Sequence, residues 1–114
     1  MTQFAEAAIA RGHRDHENLR TLLICTTSTA TSDMVERYFA QHHDDKSLLN
    51  DLVSIALEGE DAGDAPWAAA NVLSDFPVTL LREHEAELVE LGKHDWSYLH
   101  EPARRALERM NREP

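Results

Sequence analysis

The chain has 114 residues, a net charge of −10 from 21 acidic against 11 basic side chains, and one cysteine. That length suits one domain, 1–114, able to bury about two thirds of its unfolded surface without disulfide or metal. The charge argues against nucleic acid or an anionic membrane as partner and allows a basic protein, while Cys25 has no second cysteine for an internal bridge.

Thr2 is placed to cap a first helix whose apolar stripe is Phe4, Ala5, Ala8 and Ile9, with Gly12 as a left-handed stop. The opening residues carry Glu6 and no basic n-region, so they do not read as a secretory signal. A second helix begins near Asp15 and carries Leu19, Leu22 and Leu23. It fails in the run Thr26 to Ser32, where hydroxyl and β-branched side chains disfavour helix. A strand over Leu22 to Thr27 is the alternative, but nothing else in the chain offers it a partner.

Ser32 or Asp33 is expected to cap a third helix with Val35, Tyr38, Phe39 and His42 on one face. Asp45 is expected to cap a fourth, whose Leu48, Leu49, Leu52, Val53, Ile55, Ala56 and Leu57 cover more than half its circumference, with Gly59 as stop. Through the acidic link Glu58 to Asp64 the chain reaches its best-formed helix, Asp64 to Phe76. There Asp64 is read as the N-cap, Pro66 lies in the first turn, and Ala69, Val72, Leu73 and Phe76 share a face. Its alanines allow neighbours to approach on several sides, which predicts a central helix.

A sixth helix follows Pro77, with Leu81, His84, Leu88 and Leu91 inside, Glu83, Glu87 and Glu90 outside, and Gly92 as stop. The link Lys93 to Leu99 has room for a turn capped by Asp95. Pro102 is expected to open the last helix, which buries Ala103, Ala106, Leu107 and Met110 and exposes Arg104, Arg105, Arg109 and Arg112. The fold class is therefore all-α, with six or seven helices and no run near the ~20 apolar residues of a membrane span. A cytoplasmic, reducing location is expected.

Pro66 and Pro102 stand 36 residues apart, each opening a small-residue helix after a longer apolar helix that ends in glycine. The segments Ala65 to Leu73 and Glu101 to Met110 resemble the second helices of HEAT repeats, although the first lacks the usual arginine. That resemblance covers residues 48–110 and implies two antiparallel hairpins, 48–76 and 78–111, stacked on one another.

Candidate chemistry centres on His42-His43-Asp44-Asp45, whose His-Asp pair resembles that of HD-type metal phosphohydrolases, with His16 and Asp95 as further ligands. The pair lies at a polar helix end, flanked by Gln41 and Lys46, rather than in an apolar helix, so no metal or cofactor is expected. His13 and His16 have the spacing of half a zinc site, without a second pair to complete it. His84 reads as a packed histidine, and His94 and His100 as loop and cap residues. No phosphate loop, nucleophile elbow or calcium loop is written.

In size, charge and helical class the chain resembles the immunity proteins of bacterial contact-dependent inhibition and related toxin systems. The resemblance implies a non-enzymatic partner that covers the active or substrate-binding surface of a cognate toxin domain, often a basic nuclease. The expected contact face combines Glu58, Glu60, Asp61 and Asp64 with Glu83, Glu87 and Glu90, and takes Trp96 and Tyr98 as anchors. Trp67 offers a third aromatic, but its place in a helix that must pack assigns it to the core. A helical-repeat scaffold is the remaining alternative.

Overall fold

The computed structural model describes residues 2–113, without the side chains of Thr2 and Glu60, so Thr2 as a cap and Glu60 as a contact lie outside the described residues. Every regular element is helical: α1 (Thr2–Arg11), α2 (His16–Cys25), α3 (Ser32–Ala40), α4 (Lys46–Ala56), α5 (Ala65–Leu73), α6 (Val78–Leu81), α7 (Glu85–Gly92) and α8 (Ser97–Arg112). The 3₁₀ turn Arg82–His84 joins α6 to α7, and counting the three as one interrupted helix gives seven, as expected. The strand alternative at Leu22 to Thr27 is absent, because α2 runs through it to Cys25.

Local chemistry explains most helix ends. Asp15 and Asp45 cap α2 and α4 by accepting from Glu17 N at 3.0 Å and Leu48 N at 3.1 Å. Beyond α2, Thr26 and Thr27 turn their hydroxyls back onto the carbonyls of Leu23 and Ile24. Thr31, rather than Ser32 or Asp33, precedes α3, and its hydroxyl donates to Cys25 O at 2.7 Å. Gly12 and Gly59 adopt φ of 83° and 82°, the left-handed stops expected of them.

Four expectations are corrected. Asp64 does not cap α5, because its carboxylate accepts the Trp67 indole N–H at 3.2 Å instead. Gly92 ends α7 without positive φ, and a Cβ there would meet Arg104 Cγ at 3.6 Å, an ordinary contact, so neither backbone nor space demands glycine. Pro102 does not open the last helix, since α8 starts at Ser97 and carries Pro102 inside it, and the turn expected in the link is the first turn of α8, preceded by Trp96 rather than capped by Asp95. Phe4 is 64% exposed, because α1 packs through its smaller residues Ala5 and Ala8.

The helix directions follow from end-to-end contacts. His43, just before α4, lies 4.8 Å from the Phe76 ring just beyond α5, so α4 and α5 run antiparallel. Arg82, before α7, donates to Met110 O at the far end of α8 at 3.0 Å, so α7 and α8 are antiparallel too. Trp67 meets Tyr98 near the start of α5 and α8, and Arg109 meets Ser74 near their ends, so these two helices run parallel. α5 lies at the centre, packed on α2, α4 and α8, with Ala65, Ala68, Ala69, Ala70, Val72 and Leu73 all buried.

Arginines complete the packing by capping neighbouring helices, where terminal carbonyls lack partners. Arg104 donates to Gly92 O at 2.9 Å, and Arg109 donates to Ser74 O at 2.6 Å and Phe76 O at 3.0 Å. Arg109 is thus half-buried rather than exposed, contrary to the reading of the α8 arginines as a solvated row. Arg112 pairs with Glu108 within α8.

Leu52 and Leu88 are fully buried on α4 and α7. Each Leu→Ala change is expected to cost about 2–5 kcal/mol through lost burial and the residual cavity. Exposed Glu90→Ala should stay within about 0.5 kcal/mol. Urea unfolding midpoints measure the order, and a larger loss for Glu90→Ala than for either leucine would invert the assigned faces.

Candidate protein-binding face

The parallel course of α5 and α8 brings together aromatic residues distant in sequence. Trp67, in the first turn of α5, stacks on Tyr98 with centroids 5.2 Å apart and planes 29° apart. Trp96 meets the edge of Tyr98 at 5.6 Å. Trp67 and Trp96 are half-buried, whereas Tyr98 is 55% exposed, so the trio offers a fixed apolar surface with a phenol at its crest. The link beneath is held by His94 Nδ1, which accepts from Trp96 N at 3.1 Å, and by His100 Nδ1, which donates to His94 O at 2.7 Å.

One carboxylate touches this trio and others lie near it in the chain. Asp64 is fixed by its bond from the Trp67 indole, while Asp61, Asp95 and Glu101 are exposed and belong to no ion pair among the described residues. The loop before α5 and the link before α8 lie side by side: a Cβ on Gly59 would stand 3.8 Å from His94 Nε2. Glu90 joins Leu57, Lys93, His94 and Asp95 around a hollow at the same end of the molecule, so a cation shares this space with the two carboxylates.

The expected acidic face is divided by this geometry. Glu83 pairs with Lys46 at 3.6 Å at the first residue of α4, whereas Glu58 follows the other end of that helix. At ~1.5 Å per residue, the two ends stand roughly 16 Å apart. Glu87 is occupied by His84 Nδ1 at 3.0 Å, and Glu58 by the Arg20 guanidinium, which holds its carboxyl below the usual range. Asp61, Asp64, Glu90, Trp96 and Tyr98 remain gathered at one end with Trp67, which had been assigned to the core.

The histidine-rich segments build a different feature. His13 is buried between α1, α3 and α4, with Nδ1 2.6 Å from the Tyr38 hydroxyl and Nε2 2.7 Å from Asp45 Oδ2. Burial pushes the Asp45 carboxyl up, but the hydrogen bond from His13 and the backbone N–H groups of Leu48 and Ser47 outweigh it and hold it below its ordinary value. An ionised Asp45 only accepts, which puts a proton on His13 Nε2, while Nδ1 bonds the Tyr38 hydroxyl, a group able to donate or accept. Burial, then the Asp45 charge, pushes the Tyr38 phenol up against the opposing effect of its hydrogen bond with His13, so the hydroxyl stays neutral. His42 packs against both rings, at 4.9 Å from His13 and 4.6 Å from Tyr38.

Neither metal reading finds its ligands gathered. His16 faces Asp51 at 3.4 Å while His43 rests on Phe76, and His13 is committed to Tyr38 and Asp45 rather than to His16. Among the described residues no three His, Cys, Asp or Glu side chains are grouped so as to hold a metal. Cys25 is buried, and that burial pushes its thiol pKa up despite the hydrogen bond with Thr31. No described helix is long and apolar enough to cross a membrane. Comparison with protein-family models, with curated proteins and with solved structures finds no match to this chain.

Tyr38→Phe keeps the ring but strips the His13 Nδ1 of its hydrogen-bond partner, and leaving such a buried polar atom unpaired should cost about 1–3 kcal/mol. The depressed Asp45 carboxyl has a defined sign of linkage: its contribution is complete above the ordinary carboxylate range and is lost as pH falls through the lower folded value. Asp45→Asn should therefore be less stable than the parent at pH 7, with the gap narrowing below about pH 4. Urea unfolding at a series of pH values checks both, and a gap that widens on acidification would contradict the assignment.

Proposed function

We propose that this chain is a cytoplasmic, immunity-type binding protein that neutralises a basic toxin domain by covering its active or substrate-binding surface. The aromatic trio Trp67, Trp96 and Tyr98, with the Asp64 carboxylate bonded to the Trp67 indole, is the observation that carries this reading. Partly exposed Trp and Tyr side chains held rigidly are favoured anchors, because little side-chain entropy remains to be lost on binding. The −10 charge would steer a basic partner toward this end and make association sensitive to salt. The pairing of α4 with α5 and of α7 with α8, with α5 parallel to α8, supports reading the two hairpins as HEAT-like.

An immunity gene should lie directly beside a gene for a large secreted protein with a variable C-terminal domain, and the two products should co-purify. Tyr98→Ala should raise the dissociation rate at least tenfold, corresponding to about 1.4 kcal/mol or more. Asp61→Lys combined with Asp95→Lys should slow association at low salt with little change in dissociation. Surface plasmon resonance separates the two rates. The absence of a complex at micromolar concentration and low salt would falsify neutralisation, and unchanged rates in both variants would move the contact elsewhere.

A further inference from the structure

His94 lies in the link between α7 and α8, and two of its hydrogen bonds respond to an added proton in opposite ways. Its Nδ1 accepts the backbone N–H of Trp96 at 3.1 Å. A backbone N–H only donates, so this bond needs Nδ1 bare and the proton of a neutral imidazole on Nε2. His94 O accepts from His100 Nδ1 at 2.7 Å. A carbonyl only accepts, so His100 Nδ1 carries a proton whether its ring is neutral or charged. Acid therefore breaks the first bond and spares the second.

Trp96 is the residue that the first bond steadies. It precedes α8 with extended backbone, φ −77° and ψ 117°, and its side chain makes no capping bond to the helix. Its ring meets the edge of Tyr98 at 5.6 Å. An imidazolium at His94 would set two N–H groups against each other, and it has carboxylates to turn to instead. Glu90 and Asp95 share with it a hollow of about 450 Å³, in which Lys93 is the opposing charge. The described residues that α4 and the loop after it bring to this ring are Ala56, Leu57 and Gly59, while Glu58 is held by Arg20. On α8, Arg104 is tied to Gly92 O.

We infer that His94 is a pH-sensitive latch for the aromatic face, closed while its imidazole is neutral and released on protonation, an inference that rests on the protein-binding reading. The proton and the Trp96 N–H compete for one lone pair, so the contact is present at higher pH and lost as pH falls. Release frees Trp96 from its seat at Tyr98. A partner would then meet an anchor that still has to be ordered, and binding weakens.

A ¹H–¹⁵N NMR titration of the free protein from about pH 8 to 5, the range in which histidines ordinarily change charge, tests this. The Trp96 amide proton should move upfield as it loses its acceptor, with the same midpoint as the His94 ring Cε1–H signal. His94→Asn supplies an oxygen that accepts from the N–H two residues on and does not titrate, so there the amide should stay downfield throughout. In His94→Ala it should be upfield from the start. His100→Gln, which keeps a side-chain N–H donor, should leave the response unchanged. A Trp96 amide that holds its position while His94 titrates, or that still moves in His94→Asn, would overturn the latch and leave the binding reading untouched. A full response in a protein that forms no complex keeps the pH-dependent link but removes the partner it would serve.

Discussion

Close approach to α5 is the constraint on which the rest of the molecule depends. Ala65, Ala68, Ala69 and Ala70 are all buried, and they let the backbones of neighbouring helices come near on more than one side. A nine-residue helix of this kind has little stability alone, so packing must hold it. The converse also applies, because α2, α4 and α8 all pack on it. The parallel neighbour α8 is positioned closely enough for Arg109 to reach the last carbonyls of α5 and for Tyr98 to reach Trp67. The core and the candidate face are therefore two ends of one packing solution.

Charge is distributed by the same solution. Arg82, Arg104 and Arg109 direct guanidinium N–H groups to helix carbonyls, which fixes their positions while they keep their charge, and Arg20 pairs with Glu58. Carboxylates are left over, and those near the trio sit beside rigid aromatic area. Long-range attraction and short-range desolvated contact thus share one end of the molecule, the combination that supports the proposed encounter with a basic domain.

Periodicity and capping chemistry made the helices legible: the Asp15 and Asp45 caps and the Gly12 and Gly59 stops sit where local rules place them. Local rules failed where a side chain had a tertiary alternative. Asp64 abandons the backbone for an indole, and Pro102, whose ring suits a helix start, lies buried inside α8 where its nitrogen has no N–H to donate. The site was less legible, since the Trp67–Tyr98 stack and the His13–Tyr38–Asp45 bridge join residues 25 to 32 positions apart. Acidic residues on one predicted helix face gave no sign that Glu83 and Glu87 would be taken by Lys46 and His84.

The most direct test of α5 as the organising element is to thicken it. Ala69 is fully buried there, whereas Ala86 on α7 is exposed. Compared by urea unfolding, Ala69→Leu should lose about 1–3 kcal/mol through overpacking, and Ala86→Leu should stay within about 0.5 kcal/mol. Equal stability of the Ala69→Leu variant and the parent would contradict close packing around α5 as the basis of the fold.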